Sequence, residues 1–176
     1  MIVEECERRD RPLKTSSREA PTRRQDRLIR EKVHDTYRLS GKLKEPTVCP
    51  RCEAVFHLGR WQWSERPKDA REGLCPACCR VRDHYPAGFV TLGGPFFEGN
   101  REEILNLVRN EGEKEQAERT LKRIMAIEGC DDRVLVTTTD SHLARRIGEA
   151  LRRAYQGELD YAYNKEDDSL RVAWKR

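Results

Sequence analysis

Four cysteines stand in two pairs, Cys49-Pro50-Arg51-Cys52 and Cys75-Pro76-Ala77-Cys78, with 22 residues between the pairs. Two residues between cysteines let the chain fold back so that both sulfurs reach one ion at ~2.3 Å, and two such pairs complete a tetrahedral four-thiolate shell. That shell is closed and leaves no position for a substrate, so the ion it holds is expected to be structural. Zn2+ suits the donor set, and an iron centre built on similar knuckles stays open as the alternative. A redox dithiol fits less well, because two pairs are present and no thioredoxin-like strand precedes either. Cys79, His57 and His84 compete for a place in the shell, although Cys79 is worse spaced from Cys75. Cys6 and Cys130 have no evident partner, and the odd total of seven cysteines argues against a closed disulfide framework.

Knuckles of this kind sit on tight hairpins. Short strands are expected around Ala54–His57 and Trp61–Trp63, with Gly59 at the turn. Residues 46–86 thus read as a zinc ribbon, a segment so polar that the metal must supply much of its folding energy.

Residues 87–176 follow as a small α/β domain with ordinary apolar periodicity. Phe89–Leu92 reads as a strand. Asn100, with Glu103 three residues on, reads as a capping box for a helix that runs from Arg101 to Ile127, kinked or broken at Gly112 and stopped at Gly129. The β-branched run Val134–Thr138 reads as a buried strand, and Cys130 falls in the turn before it. Thr139 or Asp140 caps a helix to Tyr155 whose Leu143, Ile147, Leu151 and Ala154 share one face, with Gly157 as its left-handed stop. Leu159, Tyr161 and Tyr163, then Leu170, Val172 and Trp174, alternate as the arms of an antiparallel hairpin around the polar turn Asn164–Ser169. The expected order is strand–helix–strand–helix–strand–strand, and the fold class is α+β.

Residues 1–45 form a third region, a basic arm. Charged residues make up 38% of the chain and mean hydropathy is −0.90, too polar for every segment to build a core. Between Arg8 and Lys44 there are 13 basic against 5 acidic residues, whereas residues 101–176 balance at 15 against 16. The first 22 residues read as disordered. A helix is expected over residues 23–37, with Thr22 as its cap and Leu28, Ile29, Val33 and Tyr37 on one side. Arginine outnumbers lysine 26 to 9, and guanidinium groups fork onto phosphate and stack on bases. The bias therefore points to nucleic acid.

The RNA-binding residues suggested by this pattern are Arg23, Arg24, Arg27 and Arg30 on the arm, Arg60, Trp61 and Trp63 on the ribbon hairpin, and Arg145 and Arg152 on the last helix, where Arg146 and Arg153 extend a basic arc. One or both tryptophans can instead fill the small core around the metal. The run Thr137-Thr138-Thr139-Asp140-Ser141-His142 can hold a phosphate at a helix N-terminus, but simple capping explains it as well. His142, Asp140 and Ser141 are chain neighbours and do not face one another as a triad must. No glycine-rich phosphate loop with lysine is present. Nothing in the sequence supports an enzyme or a small-molecule substrate. No stretch approaches the ~20 apolar residues of a membrane span, and the acidic start Met1-Ile2-Val3-Glu4-Glu5 lacks the apolar core of a signal peptide, so a cytoplasmic location is expected.

Several strings carry a family resemblance. Glu45-Pro46-Thr47-Val48-Cys49-Pro50-Arg51-Cys52, Gly59-Arg60-Trp61-Gln62-Trp63, Cys75-Pro76-Ala77-Cys78, Thr137 through Gly148, and Leu170-Arg171-Val172-Ala173-Trp174 are similar to the bacterial BCAM0308 family of zinc-ribbon proteins. That resemblance covers roughly residues 25–176 and implies no particular activity. More distantly, the order of cysteine knuckles and an α/β segment resembles the N-terminal part of the archaeal and eukaryotic nonsense-mediated decay protein three family, large-subunit export adaptors. Glu53 and Cys79 stand where that family often has glycine. The likeness implies a contact with the ribosome or rRNA. The leading expectation is thus a non-enzymatic protein that binds RNA, most plainly the ribosome or its large subunit. A stress-related protein–protein adaptor that docks through its ribbon is the alternative.

Overall fold

The computed structural model describes Tyr37 and residues 43–176, apart from 131 and 165–168. The arm arginines Arg23, Arg24, Arg27 and Arg30, and all of the helix expected over 23–37 but Tyr37, which lies in a turn, fall outside the described residues. Everything described below belongs to one compact unit, Thr36–Arg176. Among the described residues there are two sheets and four helices, so the class is mixed α+β.

The first sheet has the order β3-β2-β1-β4 and very short strands: β1 (Thr47–Val48), β2 (Val55–His57), β3 (Arg60–Gln62) and β4 (Arg71–Glu72). β2 and β3 pair antiparallel around Leu58-Gly59, whose φ angles of +52° and +74° give the left-handed pair that a two-residue hairpin turn needs. Glu45 accepts hydrogen bonds from both turn amides, at 2.7 Å from Leu58 N and 3.0 Å from Gly59 N. A short helix, α1 (Pro76–Arg82), follows β4.

The second sheet has five strands in the order β6-β7-β5-β9-β8. Its centre is β5 (Gly88–Gly93), antiparallel to β7 (Arg133–Thr138) and parallel to β9 (Ser169–Lys175). β6 (Ile124–Cys130) and β8 (Glu158–Asn164) pair antiparallel at the two edges. The alternation read in Leu170, Val172 and Trp174 is the buried face of β9. It packs with Val90 and Leu92 of β5, Val134 and Val136 of β7, and the helices α2 (Pro95–Gly99), α3 (Arg101–Glu118) and α4 (Ser141–Tyr155). Asp140 caps α4, accepting from Leu143 N at 3.0 Å. Gly148 lets that helix approach the sheet closely: a Cβ there would lie 2.7 Å from Val172 Cγ1.

Several local expectations need correction. Residues 124–127 are not helix but the start of β6, which adds a strand to the expected order and includes both Gly129 and Cys130. α3 runs unbroken through Gly112 to Glu118. Gly112 is there for space, since Ile124 Cδ1 sits 2.5 Å from where its Cβ would be. Asn100 makes no capping bond to α3, and its Nδ2 donates instead to Phe96 O at 2.9 Å. Gly157 is left-handed as expected, at φ +97°, but Gln156 before it has already turned to φ +62°.

Candidate metal centre and cationic cleft

Both knuckles are set by backbone hydrogen bonds that local sequence permits. Cys49 N donates to Ala54 O at 2.9 Å and Glu53 N to Cys49 O at 2.8 Å, which closes the first knuckle into a tight turn. The turn forces Glu53 to φ +63°, a region that favours glycine. In the second knuckle Cys75 is the N-cap of α1 and Pro76 opens the helix, where the missing N–H of proline costs nothing. Cys75 Sγ accepts from Cys78 N, and Cys49 Sγ from Cys75 N, each at 3.4 Å.

These turns bring the sulfurs of Cys49, Cys52, Cys75 and Cys78 within 4.8 Å of one another. A tetrahedral metal–thiolate shell places its sulfurs about 3.8 Å apart; Cys52 and Cys75 stand at 3.7 Å. That separation is far beyond a disulfide bond of about 2.05 Å. The four cysteines therefore form a possible metal-binding site. Cys79, His57 and His84 lie outside this group. His57 is at the exposed hairpin, its Nδ1 3.6 Å from Glu45.

A residue that the sequence did not single out completes the site. Arg123, in the connection between α3 and β6, points its guanidinium at the sulfurs: Nη2 is 3.0 Å from Cys52 and 3.8 Å from Cys75, and Nη1 is 3.4 Å from Cys78. It is held there by its own neighbours. Nε donates to Thr120 O at 2.8 Å, and Arg123 N donates to the Thr139 hydroxyl at 2.8 Å. Thr139 N returns a bond to Arg123 O at 2.9 Å. A half-buried guanidinium facing three sulfurs suits anionic thiolates, because four thiolates around a dication would leave a net charge of −2. Burial works against the charge on Arg123, but the Cys52 sulfur and then the charges of Cys75 and Cys78 outweigh it and raise its pKa.

Without a cation between them, the sulfurs cannot all ionise. Burial pushes the Cys75 thiol up strongly, and the neighbouring sulfurs add to it; burial likewise pushes Cys78 up to about 11. Cys49 is also opposed by burial, yet amide donors from Cys75, Arg51 and Cys52 bring it down to about 7. An ion entering this group would therefore have to expel protons, and its affinity would fall as pH falls.

The tryptophans of the hairpin face inward to different degrees. Trp61 packs on the cysteine cluster with Leu74 and Leu121, and stands 5.5 Å from Phe56, centroid to centroid. Trp63 is 42% exposed, but its Nε1 donates to Gln116 O of α3 at 2.8 Å and its ring centroid lies 5.6 Å from the Arg123 guanidinium carbon. Thr120 Oγ1 donates to Trp61 O at 3.0 Å. Arg60 is exposed on β3.

A second constellation lies between the end of α3 and the outer face of α4. His142, Arg145, Arg146, Glu149, Ala150 and Arg153 recur at helical spacing, and with Arg119 and Lys122 they line a cleft of about 540 Å³. Five cationic side chains line it with one carboxylate, Glu149, while Glu111 stands 3.7 Å from Arg146 and Asp140 3.9 Å from Lys122. Beneath them Glu115 is fully buried, 2.8 Å from Arg146 Nη1 and 3.0 Å from Lys122 Nζ. Burial resists its ionisation, but Lys122, Arg146 and Arg119 together hold its pKa low. Arg145 pairs with Glu149 at 2.8 Å. Each guanidinium has five N–H donors, so one carboxylate partner leaves donors for another anion. Arg119 and Lys122 had no sequence signal, since only the turn after α3 brings them beside α4. Arg152 is exposed on the side of α4 nearer β8.

Among the described residues no helix is long and apolar enough to cross a membrane. Comparison with family models, with curated proteins and with solved structures finds no match.

Proposed function

We propose that this is a non-enzymatic zinc-ribbon protein that binds RNA in the cytoplasm, with the ribosome or its large subunit as the target. The cationic cleft carries this reading. Phosphate is the anion that a row of guanidinium forks accommodates best, and a helical stripe of them tracks a polymer better than it encloses a small molecule. The arginine-rich arm and the likeness to the large-subunit adaptor family point the same way. Zn2+ in the four-cysteine shell has a structural part here: Cys49, Cys52, Cys75 and Cys78 hold it, and their closed shell leaves no catalytic position.

Sedimentation of ribosomes on a sucrose gradient tests the proposal. The protein should travel with the large subunit at low salt and leave it as salt rises, because each phosphate contact releases counterions. The exchanges Arg119→Glu and Arg153→Glu should weaken the association and flatten its salt dependence by about one unit of slope per contact. Protein that stays at the top of the gradient in low salt contradicts it. One observation favours the adaptor reading instead: Leu58 is 74% exposed at the hairpin tip. On that reading Leu58→Ser, and not the cleft variants, abolishes the partner complex, and nuclease leaves the complex intact.

A further inference from the structure

An aromatic surface adjoins the cleft. β8 is an edge strand, and its Leu159, Tyr161 and Tyr163 alternate onto one face. Leu159 packs against the core beside Gly148. Tyr161 and Tyr163 stay 40% and 61% exposed. Burial of a large aromatic is worth more than that of most residues, so two alternate positions that share the face of Leu159 yet leave their tyrosine rings 40% and 61% exposed are not explained by the core. The Arg145 guanidinium carbon lies 5.9 Å from the Tyr161 ring centroid. Arg152, Glu149 and Tyr163 are the other groups whose charges act on that phenol. Arg145 also lines the cleft. One arginine therefore joins a pair of exposed rings to a row of phosphate-seeking cations.

The geometry points to a base-stacking platform at Tyr161 and Tyr163, continuous through Arg145 with the cationic cleft, and so to single-stranded RNA as the ligand of this surface. The inference rests on the RNA-binding reading above and narrows it. Alternate residues on a strand are about 6.7 Å apart, so the two rings offer separate seats to successive splayed bases. Stacking on aromatic rings tolerates any sequence, while the cleft tracks the backbone. A duplex hides its base faces and offers these rings nothing.

The test uses full-length, metal-loaded protein with a fluorescent RNA of about 12 nucleotides, single-stranded or annealed to its complement. The double variant Tyr161→Ala, Tyr163→Ala should lose about tenfold to a hundredfold in affinity for the single strand. It should keep the wild-type salt slope and the wild-type affinity for the duplex. Phenylalanine at both positions should restore single-strand binding, since the ring and not the hydroxyl stacks. Circular dichroism and metal content establish that both variants are folded. Alanine variants that bind the single strand as tightly as wild type, or that lose single strand and duplex equally, overturn the platform while leaving RNA binding in place. Wild-type protein that binds neither RNA also overturns the platform, and the ribosome gradient then decides the RNA reading by itself.

Discussion

The cysteine segment and the α/β segment solve the same problem by different means. The five-stranded sheet is held by some fifteen buried residues, among them Trp174, Phe97, Leu92, Ile104 and Leu151. The small sheet has strands of two or three residues and a cluster made of Cys49, Cys75, Ala77 and Cys78, edged by Cys52, Trp61, Leu74 and Leu121. Three of its four strands hold exposed residues, and β4 is exposed throughout. Burial alone is a thin support for such a sheet; an ion held across its two knuckles, as proposed above, would add its binding free energy to folding. The two regions are joined by polar contacts: Arg123 to the sulfurs, Trp63 to Gln116, and Thr120 to Trp61.

Removing one cysteine should separate the two regions most sharply. Cys75→Ser should release the ion and open residues 43–82, while the large sheet keeps its amide protection. Hydrogen exchange read by mass spectrometry checks this, and loss of protection in both regions would show that the α/β segment also depends on the metal. Next in size, Phe97→Ala should cost about 3–5 kcal/mol of stability through the cavity it leaves, measured by denaturant unfolding, with the metal retained in the folded protein.

Arg123→Gln acts on the joint. Replacing a partner of bound ligands typically costs about tenfold to a hundredfold in metal affinity, so chelator competition should show a loss in that range with little change in the α/β core. The smallest effect sharpens the comparison in the other direction. Glu53→Gly should stabilise the first knuckle by about 1 kcal/mol, because Glu53 sits at φ +63° where a side chain is strained. Metal-loaded thermal unfolding would register it.

What could be read in the sequence follows the same division. Cysteine spacing marks the four-cysteine cluster because two residues per knuckle is a local constraint. Asp140 at the start of α4 and the alternation of β9 are local as well, and both were legible. The segment from Leu121 to Ile127 was not. Its apolar residues keep a helical spacing with Ala117, yet Leu121 packs at the cysteine cluster and Ile124 fills the space over Gly112. One period served two different neighbours, and only the tertiary structure separates them. Arg123 lies within that stretch, 45 residues beyond Cys78, so no spacing rule connects it with the sulfurs. The cleft was half legible: the α4 stripe is visible as a period, whereas Arg119 and Lys122 arrive through the turn.

We propose that four cysteine sulfurs hold one ion and that this ion maintains the small sheet. X-ray absorption at the metal edge of the purified protein, with metal content per chain, tests it most directly. The account predicts one zinc per chain with four sulfur neighbours at about 2.3 Å, and no bound metal in Cys75→Ser. A nitrogen or oxygen donor in the shell, or a full ion retained by that variant, would contradict it.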